Sequence, residues 1–153
     1  MKDANHLLEQ IMFLYEDSFV YEFDIFSNEL DVVNRKRVIL DFEFNRYTRI
    51  FFRSVFKLIS ILSKKGVYRT ALEFNKLLLK MNPVQDPLGS MLYIDYNALC
   101  AKEFDFIINF ANNFAFQYLT KSTEKNSRQS VALYPNIIYS VALSKFYKML
   151  DSV

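Results

Sequence analysis

A chain of 153 residues that is 52% apolar and 17% aromatic makes one domain able to bury about two thirds of its unfolded surface, which excludes disorder over most of its length. Two Gly and three Pro are too few for the turns of a many-stranded sandwich or barrel, so the composition points to an all-α fold. The net charge of +2 hides a division: residues 1–31 carry eight acids against one base, net −7, whereas residues 35–69 carry ten bases against two acids, net +8.

Such asymmetry fits a polyanionic partner, an internal contact between the two segments, or both. Cys100 is the single cysteine and has no internal disulfide partner, in keeping with a reducing, cytoplasmic setting. The N-terminal segment, with Asp3, His6 and Glu9, lacks the basic-then-apolar layout of a signal peptide. A run of 18 uncharged apolar residues, the minimum for a membrane span, is missing.

The pattern predicts about six helices within one domain over residues 1–153. The acidic segment 1–31 opens with a helix over about Asn5 to Phe26, with Leu7, Leu8, Ile11, Leu14 and Tyr15 on its apolar side. Ser27 to Phe44 is less regular, and its Val32-Val33 and Val38-Ile39-Leu40 are compatible with short extended pieces. Arg46 to Lys65 is helical, with Ile50, Phe51, Val55, Leu58, Ile59 and Leu62 as its apolar stripe. Gly66 follows as a left-handed cap, and Val67 to Met81 forms the next helix. Asn82-Pro83 stops that helix, and Asp86-Pro87 reads as an N-cap followed by proline at the first helical position. Leu88 to Ala101 and Phe104 to Leu119 form a second pair, closing a repeat-like core over residues 46–119. Residues 121–130 are a polar, basic loop, and residues 134–150 carry a final helix that Pro135 opens.

Gly66, Tyr68, Ala71, Leu78 and Pro83 occupy the positions at which a tetratricopeptide repeat keeps its turn glycine, aromatic, small, apolar and closing residues. Thirty-six positions after Gly66, Lys102-Glu103-Phe104 with Ile107 and Ala111 echoes the same pattern without the glycine. Helical hairpins that stack in this way bind partners.

Arg69 to Phe74, Lys76-Leu77, Asn82-Pro83, Asp86-Pro87-Leu88 and Ile94-Asp95-Tyr96 together resemble the core of the transcription factor 25 family, whose fungal members are known as a ribosome quality control complex subunit. Tyr134 to Leu143 resembles that family's Leu-Pro-Asn-Phe-x-Phe-Ser segment, with aliphatic residues replacing one aromatic. The likeness covers about Ile39 to Phe146. It implies an α-helical, ribosome-associated protein; larger members act on stalled large subunits beside a ubiquitin ligase. Those members carry a long charged N-terminal region and a longer helical C-terminus, whereas this sequence stops at Val153. The expectation is a much shortened member that retains ribosome contact and occupies or stabilises a ribosomal site.

The candidate RNA-binding residues are Arg46, Arg49, Arg53 and Lys57, in a row with no acid between them, then Lys64, Lys65 and Arg69. A rigid helix lined with arginine matches a phosphate backbone; the plain alternative is a solvated face paired with the acidic segment. Lys121, Lys125 and Arg128, interleaved with Ser and Thr, either grip folded RNA or form an ordinary surface loop. Arg35-Lys36-Arg37 reads as phosphate contact or as a turn. Among the aromatics, Phe at helical spacing belongs to the core, whereas Tyr47, Phe52 and Tyr68 adjoin basic positions and are candidates for base stacking. Cys100 reads as a small buried apolar residue.

One His and one Cys do not supply a zinc site, and neither a dinucleotide-binding nor a P-loop glycine motif is present. The sequence therefore points away from catalysis, cofactors, small-molecule substrates and metals. Two functions remain. The first is a non-enzymatic factor that binds ribosomal RNA and ribosomal proteins, in dormancy or quality control. The second is a helical-repeat adaptor that recruits quality-control or ubiquitin machinery to stalled large subunits.

Overall fold

A computed structural model describes residues 2–18, 40–43, 45–83, 85–117 and 134–151. Among the described residues it contains six α-helices and no strand: α1 Lys2–Ser18, α2 Arg46–Lys64, α3 Tyr68–Met81, α4 Met91–Cys100, α5 Phe104–Gln117 and α6 Pro135–Asp151. The all-α expectation holds, and the starts and ends of α2 to α6 fall within a few residues of those read from the sequence. Phe19 to Phe26, the Val32-Val33 and Val38-Ile39 pairs, Arg35-Lys36-Arg37 and the 121–130 segment lie outside the described residues.

Local chemistry sets the helix ends. Asn45 has extended backbone, and its side-chain oxygen accepts from the Thr48 amide at 2.7 Å, satisfying one of the free donors at the start of α2. At the other end Gly66 adopts φ +76°. The Gly66 amide donates to the Ser63 carbonyl at 3.1 Å and the Val67 amide to the Leu62 carbonyl at 2.9 Å, the paired 5→2 and 6→1 bonds of a Schellman cap. After α4 the same device recurs. Lys102 takes φ +60°, its amide donates to the Leu99 carbonyl at 3.0 Å, and the Glu103 amide donates to the Ala98 carbonyl at 2.9 Å. The echo thirty-six positions apart is thus a repeat of backbone geometry, kept where lysine replaces glycine.

The restart at Asp86-Pro87 differs from expectation. Asp86 does cap α4, but from a distance: its carboxylate accepts from the Ser90 amide at 2.7 Å and the Met91 amide at 2.9 Å. Pro87 is not at the first helical position, because Gly89 adopts φ +68° and a left-handed residue interrupts the helix; regular α-geometry begins only at Met91.

The core has two parts, with α3 between them. Ala71, Leu78 and Met81 face Phe51, Phe52, Val55 and Ile59 of α2, with Met12 and Tyr15 of α1 packed at the margin. Leu72 and Leu79, each one residue further along α3, face Met91, Ile94 and Ala98 of α4, Ile107 of α5 and Ile137 of α6. Fully burying side chains such as Phe52, Ile59 and Ile94 contributes roughly 1.5–3 kcal/mol each. Ala71 is wholly buried, and its small side chain lets α2 and α3 approach closely.

Polar bonds place α4 between α2 and α6. On one side, Ser63 donates to Asn97 Oδ1 at 2.7 Å, and Phe56 meets Tyr93 edge-on at 5.4 Å between ring centroids. On the other, Ser140 donates to Asp95 Oδ2 at 2.8 Å, and the Asn136 amide group reaches the Met91 carbonyl at 3.4 Å. Helices α2, α4 and α6 form one row, backed by α3 and α5.

Candidate nucleic-acid interface

On α2 the apolar and cationic residues separate cleanly. At about 100° per residue, Arg46, Arg53, Lys57 and Lys64 fall within about 40° of one another, and all four are exposed. Phe51, Phe52, Val55 and Ile59 occupy the buried side. Among the described residues no carboxylate pairs with these four cations. Glu9, Glu16 and Asp17 of α1 make no ion pair with α2 there either; α1 meets α2 through the Tyr15 ring, 4.7 Å from Phe51, and through the Tyr15 hydroxyl, which donates to the Tyr47 carbonyl at 2.8 Å.

The other candidates divide. Arg49 is half-buried and lies 4.0 Å from Glu43, a surface pair of small energetic worth. Lys65 is the exposed C-cap residue of α2. Arg69, on the first turn of α3, pairs with Glu103 at 3.5 Å and borders a shallow depression lined also by Thr70, Leu72 and Glu73. It belongs to a different surface from the α2 row. Lys121, Lys125 and Arg128 lie outside the described residues.

Of the three aromatics proposed for stacking, Phe52 is a correction. It is 0% exposed and meets Phe42 and Phe51 edge-on, because position 52 faces α3 while its neighbour Arg53 faces solvent. Tyr47 is exposed, on the α1 side of α2. Tyr68 is half-buried against Tyr96, with ring centroids 6.1 Å apart. Cys100 is a second correction. It is exposed, since it follows Tyr96 by four residues and shares its face.

Sequence reasoning missed Leu92, Tyr93 and Tyr96 of α4, which are 61%, 40% and 49% exposed. Tyr93 touches Phe56 of α2, and Phe56 lies within about 60° of Arg53 on the helix, so Tyr93 borders the cationic row, with Tyr96 about one turn further along α4. Hydrogen bonding with Tyr68 first, and with Cys100 second, pushes the Tyr96 phenol up to about 12. The Tyr-x-x-Tyr spacing was the available signal. A second exposed surface is apolar: Tyr139, Leu143, Phe146 and Leu150 of α6 recur at spacings of four, three and four.

Among the described residues no group of three His, Cys, Asp or Glu side chains is placed to hold a metal ion, and no helix there is long and apolar enough to cross a membrane.

Stacked helical hairpins with a cationic face on one helix define the class, an all-α helical-hairpin protein. The chain belongs to the family described as transcriptional repressor TCF25, whose model matches residues 1–152. It is similar to a probable transcription factor, claV, of Ampulloclitocybe clavipes, with 30% identity over 141 residues, 92% of this chain and 17% of that protein. It is also similar to the ribosome quality control complex subunit TCF25 of Homo sapiens, with 36% identity over 98 residues, 64% of this chain and 13% of the relative. With ribosome quality control complex subunit 1 of Saccharomyces cerevisiae it shares 27% identity over 113 residues, 72% of this chain and 14% of the relative. The chain thus spans 13–17% of the length of these relatives. No solved structure matches it.

Proposed function

We propose that this protein is a non-enzymatic, cytoplasmic ribosome-associated factor that holds ribosomal RNA through α2 and so occupies a ribosomal site, in dormancy or quality control. The observation that carries this reading is the exposed row Arg46, Arg53, Lys57 and Lys64, which no carboxylate among the described residues neutralises. A cation row held on a rigid helix suits a phosphate backbone, and releasing the counterions of that backbone drives binding. The names of the relatives, ribosome quality control complex subunits, support the ribosome as the source of the RNA. Arg49 and Lys65 flank the row and extend it.

The test is sedimentation of the purified protein with ribosomes at low salt. Co-migration is expected, and Arg46→Glu, Arg49→Glu and Arg53→Glu together should abolish it. A protein that stays at the top of the gradient, or a triple variant that still co-migrates, refutes the proposal. The apolar stripe on α6 favours a second reading, in which that helix docks a protein of the quality-control or ubiquitin machinery. Under it the triple variant would retain binding, and Phe146→Glu would lose it.

A further inference from the structure

We infer that the tyrosine face of α4 receives unpaired bases of the RNA whose phosphates lie on α2, which makes the ligand a single-stranded segment or loop rather than a duplex and rests on the phosphate-binding reading of α2. Three observations converge on it. Tyr93 and Tyr96 are about half exposed and share one side of α4 with Leu92 and Cys100. That side adjoins the cationic row, because Phe56 of α2 meets Tyr93 and Ser63 bonds Asn97 one turn further along α4. The rings are also held in place: Tyr93 by the edge of Phe56, and Tyr96 by Tyr68.

The chemistry then selects the ligand. A duplex of A-form RNA presents phosphates and 2′-hydroxyls and keeps its base faces stacked internally, so it has nothing to offer a tyrosine ring. An unpaired strand has base faces to cover, and a Tyr beside Arg and Lys is the usual platform for them. Phe56, whose ring meets Tyr93 with centroids 5.4 Å apart, lies within one turn of Arg53 and Lys57 on α2, so the gap from either cation to Tyr93 is comparable to the reach of a nucleotide from its phosphate to the far edge of its base. A phosphate on Arg53 or Lys57 therefore sets its base over Tyr93, and Tyr96, about one turn further along α4, is in line for the next base of the strand. Rings already fixed by their neighbours lose little rotamer freedom when a base lands on them.

The experiment is fluorescence anisotropy with the full chain, a short unstructured RNA oligonucleotide, and a blunt RNA duplex of the same length. Each lost stacking contact weakens single-strand binding by about 5- to 150-fold. Tyr93→Leu with Tyr96→Leu should show that loss on the single strand and change duplex binding less than about threefold, whereas Tyr93→Phe with Tyr96→Phe should retain single-strand binding. Ultraviolet crosslinking of the wild-type protein to thiouridine-substituted RNA, with peptide mapping, is independent of how the variants fold; crosslinks are expected within residues 92–100. Equal losses on both RNAs, no loss in the Leu variant, or crosslinks confined to other helices overturn the base-stacking assignment alone. Failure of the wild-type protein to bind either RNA overturns the phosphate reading of α2 as well.

Discussion

The cationic row yields a number. If Arg46, Arg53, Lys57 and Lys64 each neutralise one phosphate, binding should weaken with salt at a log–log slope of about −3, since each contact contributes roughly −0.7 to −0.9. A fourfold rise in salt then lowers affinity by about 50-fold. Arg53→Gln should make the slope shallower by about 0.7 and weaken binding most at low salt, where released counterions contribute most. Lys76→Gln is the control. Lys76 pairs with Glu73 at 2.7 Å and sits 4.1 Å over the Phe106 ring, away from the row, so its removal should leave the slope unchanged. The assay is anisotropy titration with labelled RNA across a salt series. A slope shallower than about −1, or one that Arg53→Gln and Lys76→Gln change equally, would refute the assignment of phosphate contacts to this face.

The two helix caps give opposite stability effects. Gly66→Ala should cost about 1–2 kcal/mol, because φ +76° strains any side chain while an added Cβ meets nothing within 4 Å, so the cost is backbone strain alone. Lys102→Gly should gain about 0.5–1 kcal/mol, as relief of the left-handed strain outweighs the extra freedom of the unfolded chain; thermal melting reads both, at about 2–4 °C per kcal/mol. Ser140→Ala removes the donor to Asp95 Oδ2, which is 8% exposed by residue, and should cost about 1.5–3 kcal/mol, whereas Asp95→Asn keeps an acceptor without the charge and should cost less than about 1. Equal denaturant midpoints for those two variants would show that the bond contributes nothing specific.

Much of the helical frame was legible before any coordinates. Arg46 to Lys65 announced α2 because its apolar residues recur at helical spacing, Gly66 marked its end, and Pro135 marked the start of α6. The echo at Lys102-Glu103 was also real, although only backbone geometry could show that lysine there adopts the glycine conformation. Asp86-Pro87 differs from the expectation because Asp86 at φ +38° and Gly89 at φ +68° both leave helical geometry and delay the helix, and φ at such a position is not written in its neighbours. Phe52 and Cys100 were assigned to the wrong environments for a different reason. Each lies at a helical position whose exposure depends on which neighbouring helix covers it.

The sequence by itself determined the helices, the Asn82-Pro83 stop and Gly66 cap around α3, the thirty-six-residue recurrence and the exposed cations Arg46, Arg53 and Lys57 on α2. These are short-range properties, set by hydrogen bonds four residues apart and by side chains on one turn. Only the tertiary structure decided that α4 lies beside α2, that Tyr93 borders the cations, that Arg69 turns instead to Glu103, and that the α6 stripe faces outward. Those outcomes depend on contacts such as Ser63 to Asn97, made between residues thirty-four positions apart. Such contacts form because burying Leu72, Leu79 and Ile94 together fixes one arrangement of helices that no single helix specifies.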